Sequence, residues 1–202
     1  MTAWDERTSS ATSAPGAADV PERYPSELEA DVTLSDGRLA HVRPILPMDA
    51  PGLAAAIADA DAETLRLRFF GWRPVLDDAT LQHLVDVDYR WRLALVAFDP
   101  AGRGVGVARY EGRPGENTAE VAVAVTPEWR RVGLGSRLLE MLGHAAVARG
   151  IDCFVASYLE ENHDVEGLVS ASGLPCRSQV SHGVVDVQLD LLATEPTEPP
   201  GR

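Results

Sequence analysis

Val121-Ala122-Val123-Ala124-Val125-Thr126-Pro127-Glu128-Trp129-Arg130-Arg131-Val132-Gly133-Leu134-Gly135-Ser136 reads as a strand that runs into a glycine-bearing loop and then opens a helix. Such a junction is an anion cradle. Unpaired N–H groups at a helix N-terminus and the positive end of its dipole favour phosphate, and glycines let the backbone approach it. Arg130 and Arg131 add positive charge. Two glycines before a helix are also ordinary punctuation, so the flanking elements decide the reading.

Downstream, a helix is expected from about Gly133 to Arg149, with Leu134, Leu138, Met141, Leu142 and Ala145 on one face and Gly150 as its stop. Ile151 to Tyr158 reads as a buried strand and Asn162 to Ser172 as a helix closed by Gly173. Val184 to Leu192 reads as a final strand whose valines and leucines alternate with polar residues. Upstream, Thr118–Val125, Val105–Tyr110 and Leu93–Phe98 form an antiparallel meander, the last two strands joined by the turn Asp99–Gly104. Short helices are expected near Pro51–Ala58, with Asp49 as cap, near Ala62–Phe70, and from Asp77 or Asp78 to Val85. Asp31–Arg43 is a hairpin turned by Asp36-Gly37. The expected class is therefore α/β, with a mixed, mostly antiparallel sheet flanked by helices.

A chain of 202 residues suits one domain of ordinary size. Residues 1–25 and 194–202 lack periodicity and are rich in Ser, Thr, Ala, Pro and acids, so they are expected as disordered tails around a domain at 26–193. The net charge of −13 repels polyanions and argues against a nucleic-acid partner. It either attracts cationic substrates or serves solubility. All 18 basic residues are arginine. Cys153 and Cys176 lack CxxC spacing, and no apolar run marks a signal peptide or membrane span, so a cytoplasmic protein with reduced thiols and no membrane partner is expected. The five histidines lack metal-ligand spacing and no Gly-x-Ser-x-Gly elbow occurs, which sets aside a metal centre and serine chemistry. Gly102-x-Gly104-x-Gly106 imitates part of a dinucleotide fingerprint but lies in a hairpin.

Arg130-x-x-Gly133-x-Gly135, behind a Val-x-Val strand and a proline, closely resembles the pyrophosphate signature [Gln/Arg]-x-x-Gly-x-[Gly/Ala] of the GNAT N-acetyltransferase superfamily. The resemblance extends from about His41 to Leu191. Within the superfamily it looks nearest to the bacterial protein lysine acetyltransferases, through Arg43-Pro44 followed by Asp49, Arg68-Phe69-Phe70, Ala94–Ala97, Gly106–Tyr110 and Ala119-Glu120-Val121-Ala122. It implies the GNAT acyl-CoA N-acyltransferase fold, whose central strands splay, with acetyl-CoA as cosubstrate and an amine as acceptor, a protein lysine first among them. By the same resemblance Val123 and Val125 offer backbone groups to the pantetheine arm. Arg130, Arg131, Val132, Gly133, Leu134, Gly135 and Ser136 hold the pyrophosphate, and Asn162 contacts the cofactor or caps its helix, or does both. The family's general base falls on Glu120.

Strand alternation supports that position independently, because Glu120 shares a face with the small Ala122 and Ala124, which leave room for a ligand. The plain alternative is a solvated strand-edge carboxylate. One departure matters: the helix after Asn162 has no tyrosine, the residue that serves many of these enzymes as general acid. Tyr158 lies in the preceding strand. A small-molecule amine acceptor and a non-catalytic acyl-CoA sensor remain the alternatives. Trp72 either walls the acceptor site or packs in the core, and Arg109 either positions an acidic group or pairs with a carboxylate.

Overall fold

The computed structural model describes residues 21–60, 62–69 and 77–192, with the side chains of Thr64, Arg68 and Phe69 excepted. The expected tail residues 1–20 and 194–202, the aromatic Phe70 and Trp72, and the side chains of Arg68 and Phe69 therefore lie outside what is described. Tyr24, inside the first expected tail, stacks edge-on against Tyr89 at 5.8 Å and donates its hydroxyl hydrogen to Glu29.

Eight strands make one sheet in the order β1-β2-β3-β4-β5-β6-β8-β7. They are β1 (Ala30–Thr33), β2 (Leu39–Pro44), β3 (Arg92–Phe98), β4 (Gly104–Gly112), β5 (Thr118–Val125), β6 (Cys153–Leu159), β7 (Cys176–Ser181) and β8 (Val184–Asp190). Every neighbouring pair is antiparallel except β5 with β6, which is the mixed, mostly antiparallel sheet the sequence predicts. The helices are α1 (Ala50–Ala58), α2 (Ala62–Phe69), α3 (Asp78–Val85), α4 (Leu134–Val147) and α5 (His163–Ala171).

Helix α4 is the crossover that makes β5 and β6 parallel. Leu134, Leu138 and Leu142 recur at four-residue spacing and are fully buried, so the helix lays one apolar stripe across β3, β4 and β5. Gly106 makes that approach possible, since a Cβ there would stand 3.2 Å from Leu138 and 3.3 Å from Leu134. The glycines that imitate a nucleotide motif thus include one that serves close helix–sheet packing. Helices α4 and α5 cover the face carrying Val121, Val123 and Val125. Helix α3 lies over the other, where Arg92 and Arg109 donate to the carbonyls of His83 and Leu84 at its C-terminal end. Positive charge is favourable at that end of a helix.

Two local expectations are corrected. Asp49 does not cap α1 with its side chain. Its buried carboxylate instead takes both terminal nitrogens of Arg43, at 2.8 and 2.7 Å, and the Leu46 N–H at 2.7 Å. A buried guanidinium outcompetes helix N–H groups because leaving it unpaired in the core costs far more than an unmade cap. Strand β7 was not expected at all. All its residues are exposed at the sheet edge, so it lacks the alternating burial that marks β8.

Asp49→Ala strands Arg43 in the core and is expected to cost about 3 to 5 kcal/mol in urea unfolding, whereas the paired Arg43→Met/Asp49→Leu change loses markedly less. Equal losses would mean that the ion pair is not the anchor of this corner.

Candidate functional site

Between β5 and β6 the sheet opens. Their ladder consists of Thr118 with Cys153, Ala119 with Phe154 and Glu120 with Val155, and goes no further. Beyond Glu120, β5 stays on β4 as far as Val125, while β6 stays on β8 as far as Leu159. Backbone groups of a strand alternate between its two edges. Because the Thr126 N–H donates to Val105 on the β4 side, the groups of Val123 and Val125 face the opening. One of these is already engaged, as the Val125 carbonyl accepts from Arg130 Nε at 3.1 Å.

A cavity of about 580 Å³ follows this opening. Its walls include Glu120 to Val125, the loop residues Arg130, Arg131, Gly133, Gly135 and Ser136, and Tyr158, Asn162 and Leu168 from the far side. The volume suits a cofactor-sized ligand. Val132 and Leu134 are not among its walls: Leu134, the first residue of α4, is fully buried, and the Val132 carbonyl accepts from both Ser35 N–H and Oγ, at 3.2 and 3.1 Å. Arg38 reinforces this tether by stacking over Trp129 and donating to the Glu128 carbonyl at 2.8 Å. The β1–β2 turn thereby holds the loop in place, a connection no local spacing announces.

The loop needs special backbone geometry. Gly133 stands at φ +89° immediately before α4, which begins without a side-chain cap, so the first N–H groups of the helix lack a side-chain acceptor at the end where Gly133, Gly135 and Ser136 line the cavity. Arg131 also adopts positive φ, +60°, a conformation that costs an ordinary residue about 1 to 2 kcal/mol. It turns the side chain towards α5, where Arg131 Nη2 meets Asp164 Oδ1 at 3.1 Å, and Arg130 Nη1 lies 3.8 Å from Asp164 Oδ2. Gly135 packs against Val123, Val125 and Leu168 with ordinary contact distances for an added Cβ, which fits a signature that tolerates alanine there.

Glu120 is exposed and lines the cavity on the face opposite α4, with partly buried Ala122 and Ala124 beyond it. Directly across β4 stands Glu111, whose carboxylate pairs with Arg109, and Arg109 also reaches the Leu84 carbonyl. Arg109 is thus a partner of a carboxylate. Burial pulls its guanidinium below the ordinary arginine value while Glu111 opposes that shift. Asn162 caps α5 by accepting the Val165 N–H at 3.2 Å. Its oxygen is engaged in the cap while the residue still lines the cavity. Tyr158, which the sequence left without a role, lines the same cavity; desolvation, with the charges of Glu166 and Cys176, raises its phenol above the usual value. Helix α5 contains no tyrosine. Among the described residues no group of three or more His, Cys, Asp or Glu side chains could hold a metal ion.

Residues 90–169 match the family model of the acetyltransferase (GNAT) domain, a span that runs from β3 through the splay and loop to α5. An acetyltransferase of Pseudomonas aeruginosa is 31% identical over 121 residues, covering 58% of this chain and 65% of that protein. The acetyltransferase Pat of Mycolicibacterium smegmatis is 29% identical over 172 residues, 83% of this chain and 51% of that protein. The chain thus spans less than two thirds of either curated relative. The crystal structure of the GNAT domain of S. lividans PAT superposes with a TM-score of 0.77 at 30% identity, over 83% of this chain and 99% of that domain.

Gly133→Ala meets no atom within 4 Å, so its cost is conformational. It is expected to lower stability by about 1 kcal/mol and to weaken calorimetric binding of CoA, whereas Gly135→Ala leaves both nearly unchanged. The reverse order would move the anion cradle away from Gly133.

Proposed function

The chain belongs to the GNAT acetyltransferase family, and on that premise we propose that it is an acyltransferase that moves the acetyl group of acetyl-CoA to an amine, the side chain of a protein lysine, with Glu120 as general base. The observation that carries this reading is the meeting, in one cavity, of an opened strand edge, a cradle of helix N–H groups and arginines, and an unburied carboxylate.

The donor set fits CoA part by part. The Val123 groups and the Val125 N–H suit an amide-bearing pantetheine arm laid along the strand, and the apolar side chains of Val123, Val125 and Leu168 suit its methylenes. The N-terminus of α4, with Ser136 and the Arg130 and Arg131 guanidiniums, suits the pyrophosphate. The Asn162 side-chain NH₂ suits a carbonyl of the arm. The bound thioester supplies the activated acyl group.

The protein's own task is then to place and deprotonate the acceptor. A lysine amine has a reference pKa near 10.4, so its deprotonation at neutral pH costs about 4.6 kcal/mol, which an adjacent carboxylate offsets by taking the proton in the transition state. Glu120 stands on the wall of the opening where β5 and β6 part, followed on its own face of β5 by the small Ala122 and Ala124. The amine nitrogen forms the new amide bond, its proton passes to the Glu120 carboxylate directly or through water, and the carbon–sulfur bond breaks. The leaving thiol has a reference pKa near 8.5 and can depart as thiolate. Tyr158, a phenol that lines the cavity from β6, is a candidate to hydrogen-bond that sulfur.

A protein acceptor accords with the sequence resemblance to the bacterial protein lysine acetyltransferases, carried by Ala119-Glu120-Val121-Ala122. The acidic chain suits a cationic partner. No described helix is long and apolar enough to cross a membrane. The free thiols of Cys153 and Cys176 support a cytoplasmic setting.

Glu120→Gln is expected to lower the turnover of acetyl-CoA with a lysine peptide by about 10²- to 10⁴-fold, while calorimetric CoA affinity stays within twofold. Unchanged turnover would remove Glu120 as the base.

A further inference from the structure

Asp164 stands in the first turn of α5, and neither the family signature nor the proposed chemistry gives it a task. Its carboxylate faces the two arginines assigned to the pyrophosphate, with Oδ1 at 3.1 Å from Arg131 Nη2 and Oδ2 at 3.8 Å from Arg130 Nη1. These links connect the β5–α4 loop, which belongs to the half of the sheet ending at β5, with the helix that follows β6. They therefore cross the mouth of the cavity at the end where the strands have parted.

The two arginines are held differently. Arg130 is fixed by its Nε on the Val125 carbonyl, so its head stays at the mouth. Arg131 has 84% of its side chain exposed and Asp164 has 41%, so their pair lies in water. An exposed ion pair contributes about 0 to 1 kcal/mol and is readily exchanged. A pyrophosphate diester presents two negative charges and several acceptor oxygens to the same guanidiniums, which favours it over one carboxylate.

We propose that Asp164 is an internal counter-ion: it holds Arg130 and Arg131 across the cavity mouth until the cofactor's pyrophosphate replaces it, and it thereby sets the affinity for CoA. This rests on the CoA reading of the cavity. Asp164 acts through the arginines and touches no reacting atom, so it is a positioning residue. In this arrangement each binding event exchanges one anion for another on the same donors. Each release of product CoA is assisted by the return of the carboxylate. The opposite arrangement is physically distinct: if Asp164 served only to hold the arginines ready, or only to favour the α5 dipole, its removal would weaken CoA binding or leave it unchanged.

Calorimetric titration of CoA into the full chain separates these. Asp164→Asn and Asp164→Ser, two neutral variants so that a folding defect in one leaves the other, are expected to bind CoA about two- to fivefold more tightly at about 50 mM salt. The difference should shrink several-fold at about 500 mM, where exposed charges are screened. Asp164→Glu is expected to match the parent chain. In an Arg131→Ala background the gain from Asp164→Asn should largely disappear, a coupling that a helix-dipole role would not produce. Equal or weaker binding by the folded neutral variants overturns the proposal while leaving the CoA reading intact. A parent chain that binds no CoA overturns both.

Discussion

The parting of β5 from β6 after Glu120 organises the molecule. A sheet loses its ladder bonds only at a cost, because backbone N–H and C=O groups need partners. Here each of the two strands keeps a complete antiparallel neighbour, β4 for one and β8 for the other, so the exposed edges are confined to the space between them. That space is where α4 begins, and α5 begins on its other side. One topological event therefore sets an amide-rich strand edge, two helix N-termini and a carboxylate around a single cavity.

The remaining architecture holds that opening in shape. Helix α4 is pinned to the sheet by its leucine stripe and by the missing side chain at Gly106. The loop that enters it carries two residues of positive φ, and its carbonyls at Glu128 and Val132 are tied to Arg38 and Ser35 of the distant β1–β2 turn. Strain of this kind persists where surrounding contacts over-determine it. On the opposite face Arg92 and Arg109 seat the end of α3, so the face carrying Glu120 is framed by side chains already committed to partners. Within a chain of net charge −13, the cradle arginines form a local reversal of sign, and Asp164 balances them.

Much of this was legible in the sequence because it is encoded locally. Val/Ala alternation marks β5, and its predicted limits at Thr118 and Val125 are the observed ones. The four-residue leucine spacing gives α4, and Gly133 and Gly150 mark its ends with positive φ. Asn162 is the helix cap that the sequence offered as one of its two readings. What stayed hidden depends on residues far apart in the chain or on competition between partners. Asp49 looks like a cap until Arg43 is brought beside it in the core. Strand β7 has no buried face to betray it, since a sheet edge is recognised by its neighbour, β8, and not by its own side chains. The arginines read as a phosphate site, but nothing in their spacing reveals a carboxylate 33 residues away on α5.

The claim on which all of this turns is that the cavity presents an acetyl thioester to an amine. The most direct measurement is thiol release from acetyl-CoA with a lysine-bearing protein, set beside the same protein with its lysine amines blocked by dimethylation. Release that requires the free amines, with acetyl recovered on lysine, is the predicted result. CoA binding accompanied by no amine-dependent release would contradict it and make the cavity a site that binds acyl-CoA without using it.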